Sequence, residues 1–169
     1  MELKEALLKR RSVRKYTDEQ VSDEDINELM HAAMSGPSAM NKRPWDFYVI
    51  QNPDVLKKVV KCIAFANYGA PCAIVVVGCL SRALPFNMRD FWIQDTSAAT
   101  ENILLRATDL GLGAVWCGVY PRKGSIKKLQ TVLGLKESDV PLNIILLGHP
   151  KNDPEPRDQY EEKRVHIIK

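Results

Sequence analysis

The stretch from Phe91 to Leu110 reads as one long helix that is apolar on most of its faces, with Gly111 ending it. A helix of that kind is buried, so other elements have to cover it from more than one side. Candidates stand on both flanks. Ala73-Ile-Val-Val-Val-Gly78 is a short β-branched run that reads as a central strand, and Ala114 to Val119 and Leu142 to Leu147 read as two more buried strands. Trp45, Phe47 and Val49 alternate as a half-buried strand. Shorter helices fill the intervals. Leu3, Ala6, Leu7 and Arg10 share helical spacing, and the basic run Arg10 to Lys15 closes that helix, where positive charge suits the macrodipole. Ser22 with Asp25 caps a helix facing inward through Ile26, Leu29, Met30 and Ala33, stopped by Gly36-Pro37. Asn52-Pro53 opens a third, with Val55, Val59 and Ile63 inward. Ser125 caps a fourth, through Ile126, Leu129, Val132 and Leu133, ending at Gly134.

Composition then narrows the class. At 169 residues, 45% hydrophobic and 27% charged, the chain is expected to be a single domain, 1–169, and not a disordered, collagen-like or coiled-coil chain. A net charge of +3 is too small for an electrostatic nucleic-acid binder, so any affinity for anions depends on where the positive charges sit. Charge begins at the second residue and the longest apolar run, Ala73 to Leu80, is far below a membrane span, so a cytoplasmic protein without a membrane partner is expected. The four cysteines form no C-x-x-C, at least two of them sit in apolar strand-like runs and read as small buried hydrophobes, and the three histidines have no companion at metal spacing, so no metal is expected. Gly111-Leu-Gly113 lacks the third glycine of a dinucleotide fingerprint and stands between helix and strand, the reverse of the required order. Gly36-Pro-Ser38-Ala-Met40 lacks the second glycine of a nucleophile elbow.

Two segments remain. Arg10, Arg11, Ser12 and Arg14 place three guanidiniums and a hydroxyl within five residues, which suits a phosphate as well as a solvated helix end. Pro37-Ser-Ala-Met-Asn41, followed by Pro44-Trp45, is turn-rich and leads straight into a strand; Ser38 and Asn41 can donate to carbonyl and ring-nitrogen acceptors.

Arg10-Arg-Ser-Val-Arg-Lys-Tyr16 resembles the opening motif of the FMN-dependent nitroreductase family, and Pro37 to Trp45 is similar to its P-S-x-x-N-x-Q-P-W segment. Asp95 to Leu105, Leu110 to Gly113, Trp116 to Pro121 and Glu162 to His166 resemble its central helix, following strand and C-terminal basic element, in the family's order over essentially the whole chain. The resemblance implies an α+β, nitroreductase-like fold: a mainly antiparallel sheet flanked by helices, in an intertwined homodimer whose tail, 151–169, packs on the partner subunit. It implies FMN as cofactor and NADH or NADPH as electron donor. Arg10, Ser12 and Arg14 would contact the FMN phosphate, ribityl chain and pyrimidine edge, with Arg11 beside them and Arg164 closing on the phosphate. A cation near N1 and O2 would stabilise the charge that appears on reduction. Pro37, Ser38, Ala39 and Asn41 would come from the other subunit, and Cys117 and Gly118 would lie along the ring edge, a backbone N–H there meeting N5. The activity implied is ping-pong hydride transfer to a nitroaromatic, quinone or similar acceptor; the alternative is a protein that sequesters or senses flavin without turnover. Arg43 stands where the family has Gln, Asn67 is a further flavin candidate, and Ser81 to Asp90 is either a plain loop or an acceptor-side wall.

Overall fold

A computed structural model describes all of residues 1–169. Its centre is a four-stranded antiparallel sheet in the order β1-β2-β4-β3, where β1 is Trp45–Ile50, β2 Cys72–Cys79, β3 Gly113–Gly118 and β4 Asp139–Gly148. Every residue of β2 is buried, as a strand with neighbours on both edges and helices on both faces requires. The helices are α1 Leu3–Lys9, α2 Asp23–Met34, α3 Pro53–Val60, α4 Phe91–Asp109 and α5 Lys123–Leu133. The two-residue period of the strands sorts their side chains into two cores. Ile74, Val76, Ile145 and Leu147 pack with α2 and α4 through Leu29, Ala33, Ala99 and Ile103. Val75, Val77, Ile144 and Leu146 pack on the other face with α3 and α5 through Val59 and Leu129. The long apolar helix of the sequence is α4, in which only Phe91 and Gln94 are exposed.

Three local expectations give way. Ser125 does not cap α5: Arg122 is the N-cap residue, its carbonyl accepting from the Ile126 N–H at 3.0 Å, so Ser125 falls inside the first turn. The strand containing Trp116 to Gly118 is not buried throughout, because β3 is an edge strand, and Trp116 and Gly118 are exposed. The basic run does not close the first helix either. That helix stops at Lys9, and the run beyond it lies extended, Ser12 forming a parallel bridge with Ala114 and the Val13 N–H donating to the Ala114 carbonyl at 2.9 Å.

The basic run is strapped down from both ends. Gly113 permits the approach: a Cβ there would lie 2.6 Å from Val13 Cγ1. At the other end the Thr17 N–H donates to the His149 carbonyl and the Lys151 N–H to the Lys15 carbonyl. Between them the buried Tyr16 hydroxyl sits 2.5 Å from the Val13 carbonyl and 3.2 Å from the Leu146 carbonyl, and its burial pushes the phenol pKa up. Tyr16→Phe is therefore expected to lower stability by about 1–2 kcal/mol. The check is a reduced urea midpoint at unchanged slope.

Candidate functional site

The strap forms one wall of a cleft of about 270 Å³, lined by Arg11, Ser12, Arg14 and Lys15 and faced by Asn152 to Glu155. The Arg11 guanidinium donates to the Glu155 backbone carbonyl at 3.2 Å, joining the walls. A second cleft of about 210 Å³ runs along the outer edge of β3, between Phe65 and Tyr68 on one side and Val115 to Gly118 on the other. Arg14 lines both clefts, and its guanidinium lies 5.8 Å from the centre of the Tyr68 ring. Arg14 is thus the one side chain common to the cleft of the basic run, which Asp153 and Glu155 also line, and the aromatic cleft.

The β3 edge offers the second cleft peptide groups as well as side chains. The Ala114 carbonyl points away from β4, to Val13, so by the two-residue alternation of a strand the peptide groups of Trp116 and Gly118 also point outward, and those of Val115 and Cys117 point to β4. The Gly118 carbonyl accepts a hydrogen bond from Arg122. That leaves the Trp116 and Gly118 N–H groups as the open donors of the outer half of the edge. Burial pushes the Cys117 thiol up, against the pull of Arg14 and Arg122, so the side chain is a neutral wall and not a thiolate.

Not every expected residue arrives at these clefts. Arg10 turns to α4, its Nε 3.4 Å from Glu101 Oε1, and Arg164 pairs with Glu161 at 2.9 Å in the exposed tail. Pro37, Ser38, Ala39 and Asn41 lie in the turn that enters β1, on the opposite edge of the sheet from β3. Two strands intervene, which places the edges roughly 14 Å apart at ~4.8 Å per strand. Within that turn Met40, Asn41 and Arg43 hold positive φ of 49, 53 and 46°, a conformation that non-glycine residues adopt rarely and mainly where function fixes it. Asn67 lines a different groove, with Asp18, Gln51 and Lys57. The clefts also use Lys15 and Trp116, which the sequence offered only as members of longer motifs, and Phe65, Tyr68 and Arg122, which carried no signal there.

The segment 81–90 is anchored at its base. Arg82 Nη2 lies 2.6 Å from Asp46 Oδ1, 2.8 Å from the Trp45 carbonyl and 2.9 Å from Cys79 Sγ; at its far end Phe86 is 86% exposed with φ 57°. Burial works to raise the Asp46 carboxyl, but hydrogen bonds from Arg82 and Cys79 outweigh it and hold the group below its ordinary range; the Cys79 thiol is pushed up to about 12, chiefly by burial and then by Asp46. A carboxyl depressed in the folded state stabilises above its unfolded pKa and stops doing so as pH falls through the folded one. Asp46→Asn is accordingly expected to flatten the acid side of the stability profile, roughly from pH 5 down to pH 2, as read by denaturant midpoints.

The family model described as "Nitroreductase family" matches residues 7–67 and 60–149, most of the chain. The chain belongs to the nitroreductase family. A protein of Archaeoglobus fulgidus provisionally named NADH dehydrogenase/NAD(P)H nitroreductase is 42% identical over 160 residues, covering 93% of this chain and 92% of that protein. A crystal structure from Clostridium acetobutylicum, provisionally named NADH oxidase, superposes with a TM-score of 0.91 at 37% identity, covering 97% of this chain and 99% of that one. A Desulfovibrio desulfuricans protein, provisionally named a nitroreductase and solved in complex with FMN, superposes with a TM-score of 0.81 at 28% identity, covering 99% of this chain and 96% of that one. The nitroreductase fold is shared throughout: α+β, with an antiparallel sheet between helices. No helix is long and apolar enough to cross a membrane.

Proposed function

We propose that this nitroreductase-family chain is an FMN-dependent NAD(P)H oxidoreductase, working as a homodimer. The observation that carries the reading is that Arg14 lines both the cleft of the basic run and the aromatic cleft along β3. That set suits FMN: guanidinium, hydroxyl and ammonium groups from Arg11, Ser12, Arg14 and Lys15, which outnumber the facing Asp153 and Glu155 carboxylates, suit a phosphate and ribityl chain, and an aromatic slot with outward backbone N–H groups at Trp116 and Gly118 suits a flavin ring. Bound FMN would supply the redox chemistry, taking a hydride from NAD(P)H and passing it to an acceptor such as a nitroaromatic or quinone in alternate half-reactions.

Each residue then has a physical task. Arg14, at the junction, places a fixed positive charge where the ring's pyrimidine edge would lie. The Gly118 N–H would meet the ring nitrogen at the reacting edge. Tyr68 and the exposed Phe65 would cover one side of the ring. Arg10 and Arg164 would reach the phosphate only by leaving their present carboxylate partners, Glu101 and Glu161.

What one chain lacks supports the dimer. The turn carrying Pro37, Ser38, Ala39 and Asn41 is on the wrong edge to serve its own clefts, so the turn of one copy would serve the clefts of the other. Apolar surface is left over for such an interface: Leu3 and Leu7 are exposed on α1, and Ile167 and Ile168 are 76% and 97% exposed in the tail. The tail's last hydrogen bond to another element is from the Arg157 N–H to the Leu8 carbonyl, so residues 158–169 are free to cross to a second copy.

The test is an anaerobic titration of the flavin-loaded protein with NADH and with NADPH, followed by a nitroaromatic or a quinone. Bleaching of the flavin absorbance by one or both nicotinamides, and its return with the acceptor, is expected. Protein that takes up no FMN, or whose flavin stays oxidised, overturns the reading.

A further inference from the structure

The Pro37–Arg43 turn is closed on itself. Asn41 N–H donates to the Ser38 carbonyl, Lys42 N–H to the Ala39 carbonyl and Arg43 N–H to Ser38 Oγ. One hydrogen bond ties it to another element: the Ala39 N–H donates to Asp95 Oδ1 at 2.8 Å. Asp95 lies in the second turn of α4 and is 6% exposed, and no cation pairs with it within ion-pair distance. Burial pushes its carboxyl up, and the Ala39 N–H pulls it back.

Asp95 is also one of three fixings along one face of α4. Asn102 Nδ2 donates to the Ala32 carbonyl at 3.0 Å, and Gly36 packs so closely on Ala99 that a Cβ would lie 3.3 Å from its backbone nitrogen. Positions 95, 99 and 102 recur at helical spacing, so α4 acts as a straight edge on which the end of α2 and the turn beyond it are laid. The first two fixings hold a helix end, which any fold needs. The third spends a buried, unpaired carboxylate on a surface turn whose next residues have left-handed backbone, where an apolar side chain would serve a passive loop better.

We infer that Asp95 is a positioning residue for the flavin-facing turn: by fixing the Ala39 N–H it sets where Ser38 and Asn41 present their side chains to the cofactor site. The inference rests on the proposed flavin reading. Two substitutions remove the same bond from opposite sides. Asp95→Ala deletes the acceptor. Ala39→Pro deletes the donor while leaving Asp95 in place, and it suits the site because Ser38 is extended (φ −141°, ψ 150°) and Ala39 opens a short 3-10 turn. Asp95→Asn keeps an oxygen acceptor of the same shape.

The experiment is FMN titration of each apoprotein by quenching of flavin fluorescence, with the absorption spectrum of the bound flavin as second readout. Asp95→Ala and Ala39→Pro are each expected to weaken FMN binding about tenfold and to shift the bound-flavin band alike, and the double variant to be no worse than the weaker single. Asp95→Asn is expected to recover binding to within about threefold of the parent. If Asp95→Ala does not fold, Ala39→Pro and Asp95→Asn decide the matter. Parent-like affinity in Ala39→Pro, or Asp95→Asn binding as weakly as Ala39→Pro, overturns the inference. Failure of the unmodified protein to bind FMN is a different result and overturns the flavin reading instead.

Discussion

Arg14→Ala is expected to weaken FMN binding about 10- to 100-fold, the largest loss from any single side chain of the clefts. Other residues serve one cleft each, whereas Arg14 alone among the cations of the basic run lines both. Its deletion removes charge-assisted hydrogen bonding at the junction and the stacking over Tyr68 together. Arg14 is itself exposed, so the change in fold stability is expected to stay within about 0.5 kcal/mol. Affinity and melting temperature should therefore separate. Arg14→Lys is expected to fall between, since an ammonium keeps the charge and loses the planar fork. FMN titration at two salt concentrations checks this, because the parent's advantage should shrink at high salt if charge carries it. An Arg14→Ala protein with the parent's dissociation constant would leave the shared-cleft reading without its main support.

The fold was legible in the sequence wherever a local period carried the information. β2 announces itself as a β-branched run and β4 as an apolar one broken only by the buried Asn143, because both faces are covered. Most helix limits were equally plain, since Ser22 and Asn52 use local side-chain caps: Ser22 Oγ accepts from the Asp25 N–H, and Asn52 Oδ1 from the Asp54 and Val55 N–H groups. The start of α5 was missed because it has no side-chain cap, and a serine two residues into the helix imitates one. The state of the basic run was not legible for a different reason. Arg10 to Lys15 follows a helix and looks like its charged end, and what pulls it straight is a bridge to Ala114, one hundred residues away, allowed by the missing side chain at Gly113. Asp95 is the sharpest case. The family resemblance brought it forward only as the first residue of a helix motif, and its role depends on a partner, Ala39, 56 residues back. Edge position is likewise a property of sheet order, so the exposed half of β3 could not be read from its apolar residues.

Gly118 carries the second large effect, and it turns on one proton. The alternation along β3 sends the Gly118 N–H away from β4, and Arg122 occupies the carbonyl beside it. Proline at an edge position whose N–H faces outward removes no ladder hydrogen bond, so Gly118→Pro is expected to leave the sheet intact. It does remove the outward backbone donor at Gly118, leaving the one at Trp116 in place. Roughly a tenfold to hundredfold loss in NAD(P)H oxidation is expected, together with weaker FMN binding. Gly118→Ala is the decisive companion. A Cβ at this position meets nothing within 4 Å, and the alanine keeps the N–H, so activity near that of the parent is expected. If alanine is as damaging as proline, crowding and not the lost donor is responsible, and the N–H has no part in the chemistry. If neither substitution matters, the ring does not lie along β3. Only loss with proline and retention with alanine places the reacting edge of the flavin against this backbone.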